Sequence, residues 1–159
     1  MSMKKRQRII VYVIAILTAL AVGGLSALAS SGGMKEFAEL NQPPLSPPGW
    51  LFPVVWTVLY VLMGISSARV YLSEAKDRKP ALIIYAVQLV VNALWTPIFF
   101  ELELRLVAFV WILLLIGLVI YMITLFCKAD RKAAYLQIPY LVWLVFAAYL
   151  NLGVYLLNR

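Results

Sequence analysis

Five long apolar runs, separated by short clusters of charged and proline-rich residues, organise the chain. The first, Ile9 to Ala29, holds 21 residues and follows the basic cluster Lys4, Lys5, Arg6 and Arg8. At about 1.5 Å of rise per residue, such a run crosses a hydrocarbon layer of roughly 30 Å as an α-helix. Four more runs, about 50–72, 81–100, 105–126 and 134–157, are long enough to span with some tilt. The pattern predicts an all-α fold, a single integral membrane domain of five transmembrane helices over residues 1–159. Ala27-Leu28-Ala29 resembles a signal-peptide cleavage site, but signal h-regions are only about 7–15 residues long. A span is therefore the expectation for the first run.

The connectors Ser73 to Pro80, Glu101 to Arg105 and Cys127 to Ala133 are short, which makes consecutive helices antiparallel neighbours in one bundle. The first connector, residues 30–49, is longer. Its tail, Gln42-Pro43-Pro44-Leu45-Ser46-Pro47-Pro48-Gly49, cannot be helical through its prolines. It is expected to form an ordered lid, with Pro43, Pro44, Pro47, Pro48 and Trp50 as its candidate residues.

Within the runs, aromatic, amide and small residues repeat at helical spacing and so stack along one face. The second run places Trp56, Tyr60, Gly64 and Ser67 together, and the third places Tyr85, Gln88, Asn92, Trp95 and Phe99. The fifth places Trp143, Ala147, Leu150, Asn151 and Val154. Three such faces can line one pocket, apolar with a few polar anchors. An alternative for tryptophan and tyrosine is the interfacial belt of membrane proteins, which suits Tyr12 and Trp50. Small residues have an alternative as well: Ala15, Ala19 and Gly23 fit either close helix packing or a dimer interface.

Composition sharpens this picture. The chain is 64% hydrophobic with a mean hydropathy of +0.92, whereas soluble domains are roughly 45–50% apolar. The net charge of +7 does not point to nucleic acid, because the basic residues sit at span ends. Eleven of the 14 Lys and Arg residues lie in the N-terminus, the 2–3 connector with its flank, and the 4–5 connector; only Lys35, Arg105 and Arg159 lie opposite. Since positive charge stays on the cytoplasmic side, the N-terminus is expected inside and the C-terminus outside, as five spans require.

The spans hold no acidic or basic side chain apart from Arg69 and Arg105 near span ends, so ion-coupled or proton-coupled transport lacks its usual machinery. No histidine is present and Cys127 is the only cysteine, which excludes clustered Cys/His metal sites, intramolecular disulfides and imidazole-based catalytic triads. No resident metal or cofactor is expected. Leu152-x-x-Tyr155-x-x-x-Arg159 fits a proposed cholesterol-contact pattern, which any apolar helix ending in a basic residue meets easily.

Three longer motifs carry a resemblance. They are Pro47-Pro48-Gly49-Trp50-x-Phe52-Pro53-x-Val55-Trp56-x-x-Leu59-Tyr60-x-x-Met63-Gly64, then Gln88-Leu89-x-x-Asn92-x-x-Trp95-x-x-x-Phe99-Phe100, then Pro139-Tyr140-Leu141-x-Trp143-x-x-Phe146-Ala147-x-x-Leu150-Asn151. In this order they resemble the translocator protein family, also called the tryptophan-rich sensory protein or peripheral-type benzodiazepine receptor family, over essentially the whole chain. The resemblance implies a five-helix membrane protein, often a homodimer, with a ligand cavity in each bundle closed by the first long loop. It implies tetrapyrrole ligands such as protoporphyrin IX, benzodiazepine-site drugs and, in animal members, sterols. Carried over by motif, Trp56, Asn92, Trp95, Trp143, Ala147 and Leu150 fall at the cavity, and the Pro43 to Trp50 segment in its lid. A bacterial cell membrane suits the basic N-terminus. Bacterial relatives are linked to light-dependent porphyrin breakdown, for which Trp56 and Trp143 are the candidate redox-active residues. Alternatives are a transporter of such molecules and a membrane scaffold.

Overall fold

In a computed structural model, described here for residues 4–159, the chain is a helical bundle. Helix α1 covers Lys5–Ala29, α2 Ser31–Phe37, α3 Leu51–Leu72, α4 Arg78–Thr96, α5 Arg105–Ala129, α6 Arg131–Leu136 and α7 Ile138–Leu157. Helix α4 continues into a π-helical turn, Pro97–Glu101, and α6 runs into α7. Among the described residues, five helical segments are long and apolar enough to cross a membrane: α1, α3, α4 with its π turn, α5, and α6 with α7. The helices outrun the expected spans at several ends. Helix α1 begins among the basic residues at Lys5, and α5 extends to Ala129. Charged residues at a helix end can stay in the headgroup layer while the backbone remains helical.

Prolines set the breaks. Pro139 has no N–H to donate, and the backbone bends at Gln137, between α6 and α7. The carbonyl of Ala133, which loses its helical partner there, accepts instead from the Ser66 hydroxyl at 2.7 Å. Pro97 has the same effect on α4. The freed Ala93 carbonyl accepts from Ser26 of α1 at 2.7 Å. In a membrane interior such groups must be satisfied within the protein, and these two serines do so from neighbouring helices.

Helices α1 and α3 run antiparallel and pack closely. A Cβ at Gly64 would lie 2.5 Å from the Ile16 Cα, so only glycine permits this approach. A Cβ at Gly23 would collide with the Tyr60 ring, and Ala19 is fully buried. Ala19 and Gly23 of the small-residue series of α1 therefore pack within the chain. Around the ring α3 touches α1, α1 touches α4, α4 touches α5, and α5 touches α7. At one end Arg69 of α3 pairs with Asp130 at 2.9 Å, and Asp130 also accepts from the Lys132 N–H to cap α6. That end carries the 73–77 connector and, by the antiparallel register, the basic N-terminus. The lid, the 102–104 connector and Arg159 lie at the other.

Candidate functional site

A cavity of about 480 Å³ occupies the lid half of the bundle. This is within the range of roughly 300–1,000 Å³ typical of small-molecule sites. Its wall combines Phe52, Pro53, Trp56 and Tyr60 of α3 with Trp95, Thr96, Phe99 and Phe100 of α4 and the π turn. Trp143, Ala147, Leu150, Asn151 and Val154 of α7 complete the side opposite α4, and Gly23 and Ala27 come from α1. From the lid come Met34, Phe37, Ala38, Gln42, Pro47 and Gly49.

The polar groups of this wall are mostly committed. Trp95 donates its indole N–H to the Asn151 carbonyl oxygen at 3.1 Å, and the Asn151 amide donates to the Arg105 carbonyl at 2.8 Å. The Trp95 ring stacks on Phe99 at 5.4 Å between centroids. Trp95 is thus fixed on both its edge and its face. The Trp143 indole N–H, by contrast, is buried and has no partner among the described residues. The cavity is an apolar, aromatic slot.

The expected faces reach it unevenly. Trp56, Tyr60, Trp95, Phe99, Trp143, Ala147, Leu150 and Asn151 line the wall. Gln88 and Asn92 do not, although they share a helix face with Trp95. They lie below the floor, fully buried, in a chain of hydrogen bonds. The Tyr60 hydroxyl donates to the Asn92 carbonyl oxygen at 3.2 Å, the Asn92 amide donates to the Tyr140 hydroxyl at 2.7 Å, and that hydroxyl donates to Gln88 at 2.8 Å. The cavity stops there because α6 closes on α3, and the space fills with Tyr140. Of the lid candidates, Pro47 lines the cavity, Pro43 is buried against α7, and Pro44, Pro48 and Trp50 face outward. Trp50, at 68% exposure, belongs with a membrane-interface belt rather than the pocket.

Periodicity missed the contributions of α1 and of the lid's short helix. Gly23 and Ala27 show only as small residues. Phe37 sits in a connector, yet it meets Phe99 and Phe100 edge-on at 5.5 and 5.0 Å.

The lid is held at two places. Its α2 half rests on the π turn, where the Gly33 N–H donates to the Glu101 carboxylate at 3.0 Å. Its second half is held by α7: Asn41 and Asn158 exchange two hydrogen bonds, at 3.0 and 2.9 Å, and the Tyr149 hydroxyl donates to the Pro44 carbonyl at 2.7 Å. A Cβ at Gly153 would strike Pro43 at 2.6 Å, so this glycine makes room for the lid.

Four carboxylates crowd the first contact. A hydrogen bond with Glu103, and then that group's charge, raise the Glu36 pKa above its ordinary 4.5, with lesser contributions from desolvation and from Glu101 and Glu39. A carboxyl raised in the docked lid binds more protons there than when released. Docking is therefore fully favoured below the ordinary value and weakens as pH rises through the raised one. A fluorescent probe on Lys35→Cys, in a Cys127→Ser background, should become more mobile as pH rises through that window. Glu36→Gln should flatten the dependence; a probe response unchanged by Glu36→Gln would assign it to another group.

Comparison with known proteins bears on this architecture. Residues 14–157 match the TspO/MBR family. Protein CrtK of Rhodobacter capsulatus is 40% identical over 139 residues, 86% of this chain and 85% of that protein. The tryptophan-rich protein TspO of Chlorobaculum tepidum is 35% identical over 77% of this chain and 78% of its own length. The translocator protein of Ovis aries is 36% identical over 75% and 72% respectively. The matched region takes in all but the first turns of α1, together with the whole lid and every wall of the cavity. The chain, a multi-pass membrane protein of translocator and receptor type, belongs to the TspO/MBR family.

Proposed function

We propose that the cavity binds a flat, largely apolar molecule of the tetrapyrrole class, protoporphyrin IX being the test ligand, and accepts benzodiazepine-site ligands in the same space. The observation that carries this reading is the set of indole and phenyl rings, Trp56, Trp95, Phe99 and Trp143, converging on one slot that no ionisable side chain lines apart from the tyrosine hydroxyl. Such a wall favours extended aromatic surface, with offset or edge contacts contributing about 1 kcal/mol each beyond area burial.

The same placement supports a photochemical role. The illuminated porphyrin takes an electron from the Trp56 or Trp143 indole and passes it to dissolved dioxygen as superoxide. The indole radical cation recovers its electron from the porphyrin, and superoxide combines with the resulting porphyrin radical cation across a methine C=C, which cleaves to two carbonyls that keep both oxygen atoms. The protein orients the ring and presents Trp56 and Trp143, the two most oxidisable side chains along the α3 and α7 walls. Trp56→Phe and Trp143→Phe should keep most of the apolar contact and hence most of the binding, while slowing breakdown. The check is porphyrin absorbance loss under fixed light at matched bound fraction. Equal rates in wild type and both variants would leave a binding protein without a chemical role for these indoles.

The division of basic residues between the two ends of the bundle supports a cell-membrane orientation with the N-terminus cytoplasmic and the lid and C-terminus outside. The Lys35→Cys site described above should then react with an impermeant thiol reagent applied to intact cells.

A further inference from the structure

The ring of helices has one open side. Helices α7 and α3 are neighbours, yet their backbones pack together only where α6 meets α3, at the end away from the lid. In the lid half only side chains bridge the seam. Phe52 meets Trp143 edge-on at 5.9 Å, and Trp56 meets Tyr140 at 6.3 Å. Phe52 and Trp143 line the cavity with their inner surfaces and are only half-buried. The residues beside them, Val54, Val142 and Val145, are exposed and apolar, so this side of the seam faces hydrocarbon.

We infer that the ligand reaches the cavity sideways from the bilayer, through the α3–α7 seam, with Phe52 and Trp143 as the movable barrier. The inference rests on the tetrapyrrole reading above. Two observations favour the seam over the lid. No hydrogen bond holds the Trp143 indole, and the ring contact with Phe52 is side chain to side chain, so parting them breaks no backbone packing. Lifting the lid, in contrast, requires release of the Asn41–Asn158 pair, the Tyr149 to Pro44 bond and the Gly33 to Glu101 bond. A flat apolar molecule is also far more concentrated in hydrocarbon than in water, which places the supply on the seam's side.

The test is stopped-flow quenching of tryptophan fluorescence by protoporphyrin IX in proteoliposomes. Phe52→Ala should raise association and dissociation rates together, each several-fold, whereas Asn158→Ala, which loosens the lid, should leave both unchanged. The reverse pattern, or no change in either variant, overturns the inference. Should Phe52→Ala fail to fold, Phe52→Cys with Trp143→Cys in a Cys127→Ser background replaces it. Bridging the two thiols with a short cleavable linker must stop ligand exchange and reduction must restore it; exchange through the bridged seam overturns the inference. Failure of wild type to bind protoporphyrin at all would count against the proposed ligand. The seam is then read with lipids brominated at mid-chain: quenching that is lost in Trp143→Phe supports it, and quenching indifferent to Trp143 overturns it.

Discussion

Gly64→Leu is expected to lower the stability of the bundle by about 3 kcal/mol and to loosen α1 from α3, because overpacking a close-packed contact typically costs about 1–3 kcal/mol and this contact is backbone to backbone. The Cβ alone would sit 2.5 Å from the Ile16 Cα and 2.8 Å from its nitrogen, atoms that cannot rotate away. The whole of α1 would have to shift, carrying Gly23 and Ala27 out of the cavity wall. Gly24→Leu is the control, since a Cβ there meets nothing within 4 Å and faces lipid. Thermal unfolding in detergent should show a large drop for Gly64→Leu, a smaller one for Gly64→Ala and none for Gly24→Leu. A Gly64→Leu protein as stable as wild type would mean that α1 and α3 are not held this closely.

The second large effect is expected at Asn92. Its amide links two tyrosine hydroxyls under the cavity floor, and Asn92→Leu would leave the Tyr60 hydroxyl buried without an acceptor and the Tyr140 hydroxyl without one of its partners. An orphaned buried polar group costs about 1–3 kcal/mol, while hydrogen bonds between membrane helices average about 0.6 kcal/mol by double-mutant cycles, so a net loss of about 2 kcal/mol is expected. Ligand affinity should fall as well, through movement of the Tyr60 ring in the wall and not through loss of a direct contact. Removing the stranded hydroxyl should recover part of the stability, so Asn92→Leu with Tyr60→Phe should be more stable than Asn92→Leu alone. If the double variant is the less stable of the two, the hydrogen bond between these residues does not account for the cost.

The spans were legible because membrane-crossing segments must be long and apolar throughout, and nothing else in a chain of this size produces five such runs. The faces of α3, α4 and α7 were legible for a related reason: helical spacing tells which residues look inward. It does not tell how deep the empty space runs. Gln88, Asn92, Trp95 and Phe99 share one face of α4, but only the last two reach the cavity, since the depth is set by α6 closing on α3. That closure depends on a bend at Gln137 and on the Ser66 hydroxyl three helices away in sequence, neither of which has a periodic signature. The lid was legible from its prolines as an ordered segment, whereas the docking of α2 through Phe37 was not, because a single aromatic residue in a connector carries no register.

Because the lid is tied to two different parts of the bundle, it has no single hinge. The α2 half answers to the π turn and the Glu101 carboxylate, and the Asn41 to Ser46 half answers to α7. Local openings follow the bonds that must break, so the two halves should behave as separate units of local unfolding, each with its own opening frequency. Acid would steady the first without touching the second, and a change in α7 would loosen the second without touching the first. The protein can thus let one part of its roof breathe while the other keeps water out of the aromatic slot.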